Sequence, residues 1–411
     1  MPEYNTFVLP NGIKIIHQQI AHTKVAHCGF VLDIGSRDEK TDQQGIAHFW
    51  EHMAFKGTKK RRAFHILNRL DSVGGELNAY TTKEKICFYA SVLEPYFGNA
   101  IELLYDITFQ SVFPEKQIER ERSVILEEMA MYYDTPEDAI QDDFDDLVFS
   151  GHPLGRNILG TTESIRRFQR QDFTQFISEN LDTEHLVFSS VGPMPMKKVV
   201  RLAEKYFSKI PVYKSSRERE PFSGYYPRTE VSYRNLTQAQ CAIGRPAYNI
   251  KDPKRLPFFA LVNILGGPGM NSRLNLALRE KYGYVYSVEA SYTPYIDTGM
   301  FGIYFGTEPS RIEKGINIVM KELKKLREIP LGTIQLHSAK EQLIGQLAMA
   351  EENYTNLMLM LGKSLLDLQK VEDIEEVYKK INGITAVELQ DIANEMFDEK
   401  SLSMLTFLPK S

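Results

Sequence analysis

One order of landmarks occurs twice in this chain, and it constrains the fold more than any other feature. Gly75 is followed by two β-rich runs, 76–81 and 86–93, then by Glu94-Pro95 and long helical stretches. Gly283 is followed in the same way by β-rich 284–292 and 299–306, then by Glu308-Pro309 and long helices. The two glycines lie 208 residues apart and the two Glu-Pro pairs 214, which reads as a duplicated unit. Ahead of Gly75, alternation over 5–10 and 13–18 flanks a turn at Asn11-Gly12, and a third β-rich run covers 25–34. Helical periodicity then covers 45–55 and 63–73, and resumes over 95–109, 114–133 and 136–149. A turn-rich block, 151–156, a strand at 185–190 and a helix at 197–207 close the first copy. In the second copy, helical 255–265 and 271–281 precede Gly283. Pro211 to Arg228, rich in Pro, Ser, Lys, Arg and Glu, reads as the connection. The expectation is an α+β protein of two homologous sheet-plus-helices domains, 1–212 and 229–411, joined by a linker at 213–228.

Composition agrees with two domains. The 411 residues suffice for two domains of about 200 each. Apolar residues at 43% and charged residues at 25% exclude a disordered chain. No run approaches the roughly 20 apolar residues of a membrane helix, so no membrane span is expected. With 54 acids, 49 bases and no basic stripe, a nucleic-acid partner is not expected either. Cys28, Cys87 and Cys241 are odd in number and far apart, which predicts buried small hydrophobes and favours a reducing compartment. Met1-Pro2-Glu3-Tyr4 opens without an apolar leader, which points to the cytoplasm, or to the periplasm if a signal has been removed.

The chemistry concentrates in His48-Phe49-Trp50-Glu51-His52. Residues four apart share one face of a helix, close enough for two imidazoles to meet one zinc ion. Glu51 borders that face, placed to hold a water rather than to ligate. Zinc needs a third protein ligand, and the helix over 114–133 offers Glu119, Glu121, Glu127 and Glu128. Glu121 and Glu128 lie two helical turns apart on one face, so one could ligate while the other supports it. Spacing does not choose among the four.

His-x-x-Glu-His is the inverted zinc motif of the inverzincins. The chain resembles the pitrilysin-type peptidases, especially subunits of the mitochondrial processing peptidase and their bacterial relatives. The resemblance runs through GIAHFWEHMAFKGT (45–58), LNAYT (77–81), ERERSVILEE (119–128), HPLGRNILG (152–160) and NSRLNLALREKYGYVYSV (271–288). It implies a zinc metalloendopeptidase with metal ligands His48, His52 and Glu128, Glu121 as the supporting glutamate, and one zinc per chain. Trp50 stands where the family often has Leu and is expected to pack away from the metal. Glu51 would take a proton from the attacking water and deliver it to the leaving amine. Asn78, Ala79 and Tyr80 would lie on an exposed sheet edge to which an extended substrate adds as a strand. Arg279 with Tyr286, or Tyr284, would meet substrate carbonyls or the oxyanion.

Acids at 134, 137, 138, 142, 143, 145 and 146 run without an intervening base. By the resemblance, Asp138 and Asp142 fall where processing peptidases receive a substrate arginine. His152 and Arg156 are expected to be structural. The second copy holds only one histidine, His337, and no metal is expected there. Relatives close a four-unit clamshell, so this two-unit chain is expected to be half of one, completed as a homodimer or as a heterodimer with a related non-catalytic chain. A non-catalytic peptide-binding subunit is the competing expectation, and the intact motif argues against it.

Overall fold

The computed structural model describes residues 4–410, so the Met1–Glu3 opening considered above lies outside the described residues. Packing groups the chain into two units, each discontinuous in sequence. The first runs to Met129 and adds Arg156–Arg219 and Met349–Val371; the second takes Ala130–Gly155, Glu220–Ala348 and the chain from Glu372 onward.

The first unit contains strands β1 (Tyr4–Val8), β2 (Lys14–Gln19), β3 (Val25–Leu32), β4 (Glu76–Thr81), β5 (Ile86–Leu93) and β6 (Leu186–Gly192), in the spatial order β1-β2-β6-β3-β5-β4. The second contains β7 (Thr229–Arg234), β8 (Ala239–Ala247), β9 (Val285–Pro294), β10 (Gly299–Thr307) and β11 (Ser403–Pro409), in the order β7-β11-β8-β10-β9. Apart from the added edge strand β1, the two orders are the same. Each sheet has one parallel pair, β2 with β6 and β7 with β11, and its other pairs are antiparallel. The α+β reading with a repeated sheet-plus-helices plan therefore describes the molecule. β4 and β9 occupy matching edges.

Five helices of the first half position the rest: α1 (Ile46–Ala54), α2 (Ala63–Asp71), α3 (Phe97–Phe109), α4 (Glu115–Asp134) and α5 (Pro136–Val148). One face of the first sheet meets α1, α3 and the helix Met196–Phe207 in a core that includes Phe30, Phe49, Trp50, Phe88 and Phe207. Its other face is covered from the far end of the chain. The helix Tyr354–Leu368 lays Leu357, Met358, Leu361 and Leu365 on Ile16, Val31 and Val187. The Ser189 hydroxyl donates to the Met358 carbonyl at 2.6 Å. In the second unit, α5 from the first half places Ala139, Ile140, Phe144 and Leu147 against Ala242, Met300, Leu405 and Phe407. Each half of the sequence thus supplies the helix that covers the other half's sheet. All seven residues of β6 are buried between the two layers, Ser189 and Ser190 included. Burying one large apolar side chain stabilises by about 1.5–3 kcal/mol, so each covering helix contributes several such increments.

Two segments carry detail that the sequence reading did not specify. Residues 211–228 form no helix or strand, yet their first part is fastened to the first unit rather than free. Arg217 reaches Asp33 at 2.6 Å and Asp38 at 3.1 Å, and Arg219 reaches them at 2.8 and 2.7 Å. Both bases are thus engaged by partly or fully buried acids. The helical stretch read over 271–281 contains a π-helical segment, Asn275–Lys281, because apolar periodicity does not distinguish helix types. The three cysteines are free and buried, as expected.

Candidate metal centre

α1 carries the motif, and its start is tightly determined. Gly45 at the N-cap has φ +91°, and a Cβ there would lie 2.5 Å from the Leu159 carbonyl oxygen. The buried Glu39 carboxylate accepts from the Gly45 and Ala47 amides at 2.9 Å each, satisfying donors that a helix start leaves open. Arg156 donates to the Glu39 carbonyl at 2.7 Å, and His152 Nδ1 accepts from the Leu154 amide, so both residues of that block do structural work. Phe49, Trp50 and Met53 enter the core, with Trp50 against Phe88 and Phe176. That packing turns His48, Glu51 and His52 to the other face.

The His48 and His52 rings stand 4.6 Å apart between centroids. α4 brings Glu128 to them, with Oε1 3.8 Å from His48 Nε2 and Oε2 3.6 Å from His52 Nε2. One ligand atom from each of the three lies within 4.8 Å of the others, so small side-chain adjustments would bring all three within the bond length of about 2.0–2.2 Å of one ion. Two imidazole nitrogens and one carboxylate form a zinc donor set, so the residues fit that ion. Burial, reinforced by His52, pushes the His48 imidazole down to about 3, which keeps it in the neutral form a metal requires. His48 Nδ1 is buried without a hydrogen-bond partner, whereas His52 Nδ1 faces Glu121 Oε2 at 3.3 Å. The other Glu121 oxygen accepts from Lys56 Nζ at 2.8 Å. Burial alone would raise the Glu121 carboxyl, but the bonds from His52 and Lys56 outweigh it and hold it below the ordinary glutamate value.

Glu51 sits beside this cluster and accepts a 2.6 Å bond from the Thr81 hydroxyl at the end of β4. Burial raises its carboxyl above the ordinary value, by more than Thr81 and His52 lower it. β4 pairs with β5 from Glu76↔Ser91 to Thr81↔Ile86, and no strand of the described residues pairs with its outer side. Asn78 is exposed, and Ala79 packs against the core. Tyr80 turns to the opposite face, 6.1 Å from the Tyr89 ring and under Lys363 Nζ, so what it offers along the edge is backbone.

The other candidate residues belong to the second unit. Tyr286 is 89% exposed, with the Arg279 guanidinium 5.9 Å from its ring. Tyr284 is half-buried and stacked on Tyr282, and its carbonyl accepts from Thr307. Asp138 is exposed in the first turn of α5, where acids suit the helix dipole, and Asp142 is half-buried one turn on. Asp143 pairs with Arg234. Among the described residues, His48, His52 and Glu128 form the one cluster able to hold a metal. Sequence reasoning passed over Thr81 and Lys56. Strand alternation puts Thr81 on the face of Ala79, and Lys56 continues the 48–52 spacing by one more turn, so both could have been found by extending the periods already in use.

Comparison with known proteins agrees with this geometry. Residues 14–162 match the profile of the insulinase family (peptidase family M16), and residues 167–343 match the peptidase M16 inactive domain. A protein of Rickettsia bellii named "Uncharacterized zinc protease" is 33% identical over 402 residues, covering 97% of this chain and 96% of that protein. The mitochondrial-processing peptidase subunit beta of Saccharomyces cerevisiae is 29% identical over 420 residues, covering 98% of this chain and 91% of the yeast subunit. A protease from Helicobacter pylori of known crystal structure superposes with a TM-score of 0.90 at 21% identity, over the whole of both chains. A repeated sheet with a metal cluster in its first copy alone, and relatives alike from end to end, lead to one conclusion: the chain belongs to peptidase family M16.

Proposed function

We propose that this chain is a zinc metalloendopeptidase acting on extended or unfolded peptides. One observation carries the reading: His48, His52 and Glu128 converge beside a glutamate, Glu51, that is tied through Thr81 to an open sheet edge. The names of the zinc protease relatives support the choice of metal. His48, His52 and Glu128 would hold the zinc, which supplies Lewis acidity that activates water and polarises a peptide carbonyl.

The chain's own residues do the rest. Thr81 occupies Glu51 Oε2, which leaves Oε1 to take a proton from the attacking water and pass it to the leaving amine. The raised Glu51 carboxyl is a stronger base than an ordinary glutamate. An extended substrate adds to β4 through backbone hydrogen bonds, which demands unfolded chain more than particular side chains. Arg279 and Tyr286 are accessible donors for substrate carbonyls, and Tyr284, half-buried and stacked on Tyr282, is the less open of the two tyrosines. Asp138 and Asp142 would favour a basic residue near the scissile bond. Two chains would pair to enclose the substrate, as a homodimer since one chain carries both the metal cluster and the Arg279–Tyr286 segment. The relative named as a subunit supports a heterodimer as the other outcome.

The test combines zinc analysis, digestion of a quenched extended peptide with and without chelator, and light scattering. Zinc at one per chain and chelator-sensitive cleavage are expected. A chain that binds no zinc, or cuts equally well with chelator present, would end the proposal. Equal rates on matched Arg- and Ala-containing peptides would end the basic preference alone.

A further inference from the structure

We infer that Lys56 is a positioning residue of the metal centre: its ammonium fixes Glu121, and Glu121 in turn aims His52. This rests on the reading of His48, His52 and Glu128 as the metal ligands. His52 can present Nε2 to a metal only with its proton on Nδ1, and Glu121 Oε2 is the acceptor 3.3 Å from that atom. A carboxylate can turn about its last torsion and withdraw that oxygen. Lys56 Nζ, 2.8 Å from Glu121 Oε1, closes the other side of the group and holds its plane.

Three features separate this contact from an ordinary surface ion pair. The Glu121 side chain is 8% exposed and that of Lys56 26%, so the pair is screened by water far less than an exposed pair. Glu51, Glu121 and Glu128 bring three carboxylates to one small region, and Lys56 is the only lysine or arginine paired with any of them among the described residues. Finally, Lys56 follows the end of α1 directly, where its amide donates to the Met53 carbonyl at 3.1 Å. The same helix end therefore fixes the ligand His52 and the cation that steers it. The simpler alternative is that Lys56 only neutralises the helix C-terminus, in which case it acts without Glu121.

A double-mutant cycle on zinc affinity distinguishes the two, using the purified full chain and a chromophoric chelator as competitor. Losing an outer partner of a ligating histidine typically weakens metal binding about 10–100-fold, and that is the loss expected for Lys56→Met, which keeps the length of the stem. Lys56→Gln should lose as much, and Lys56→Arg should stay within about threefold of the parent. Once Glu121→Gln is present, Lys56→Met should add less than about threefold, because its route of action is gone. Unchanged affinity in Lys56→Met and Lys56→Gln, or an equal loss with and without Glu121, would overturn the inference. A parent chain that binds no zinc would instead overturn the metal-centre reading beneath it.

Discussion

The two sheets share a strand order, yet among the described residues only the first has a cluster able to hold a metal. Where α1 presents His48, Glu51 and His52, the helix Arg255–Gly266 occupies the same place in the chain order and is almost wholly apolar. Its Phe258, Leu261 and Leu265 enter the second core, whereas α1 divides its surface between core and site. The difference teaches that this topology needs only an apolar stripe at that helix. The remaining face is free to gain or lose a metal without disturbing the sheet.

That contrast can be broken or sharpened by experiment. The largest effect is expected from His48→Ala, which should abolish both zinc and cleavage. Residual stoichiometric zinc in that variant would mean the second copy holds metal after all. Glu51→Gln should keep its zinc and lose about 10²–10⁴-fold or more in turnover.

The covering helices come next. Phe144→Ala on α5 should cost about 3–5 kcal/mol by denaturant unfolding. Gly362→Val should cost about 1–3 kcal/mol, because a Cβ there meets Val31 at 2.7 Å and Ser189 at 3.1 Å. If one change were silent, its sheet would not depend on the exchanged helix. The smallest effect concerns Asp33. Burial alone would raise its carboxyl, but His185, Arg219 and Arg217 outweigh that and hold it well below the carboxylate range. Its stabilisation is therefore present above the unfolded value of about 3.9 and fades as pH falls below it. Asp33→Asn should flatten the acid limb of a stability–pH curve, and an unaltered limb would show that the ion pairs of Asp33 contribute nothing.

How far the sequence could be read depended on how local the determinant was. Strands 76–81 and 86–93 were legible to their ends because alternation is bounded by Gly75 and by Glu94-Pro95. The pairing of His48 with His52 follows from helical spacing alone. Glu128 does not, since four acids on α4 are equivalent by periodicity and only a fold brings one of them to the histidines. An amphipathic pattern shows that a helix has an apolar face without showing which sheet receives it, so the crossing of α5 and Tyr354–Leu368 was invisible. The pairing of Arg217 and Arg219 was illegible for a similar reason: their acids lie about 180 residues upstream.

The reciprocal placement of those two helices bears on biosynthesis. A chain emerging from the ribosome completes all six strands of the first sheet before it makes the helix that seals their far side. Until then Ile16, Val31 and Val187 face solvent on a sheet whose edges are also bare. Truncated products stopping short of Tyr354 should therefore be sticky and short-lived, and the nascent polypeptide needs shielding until that helix docks.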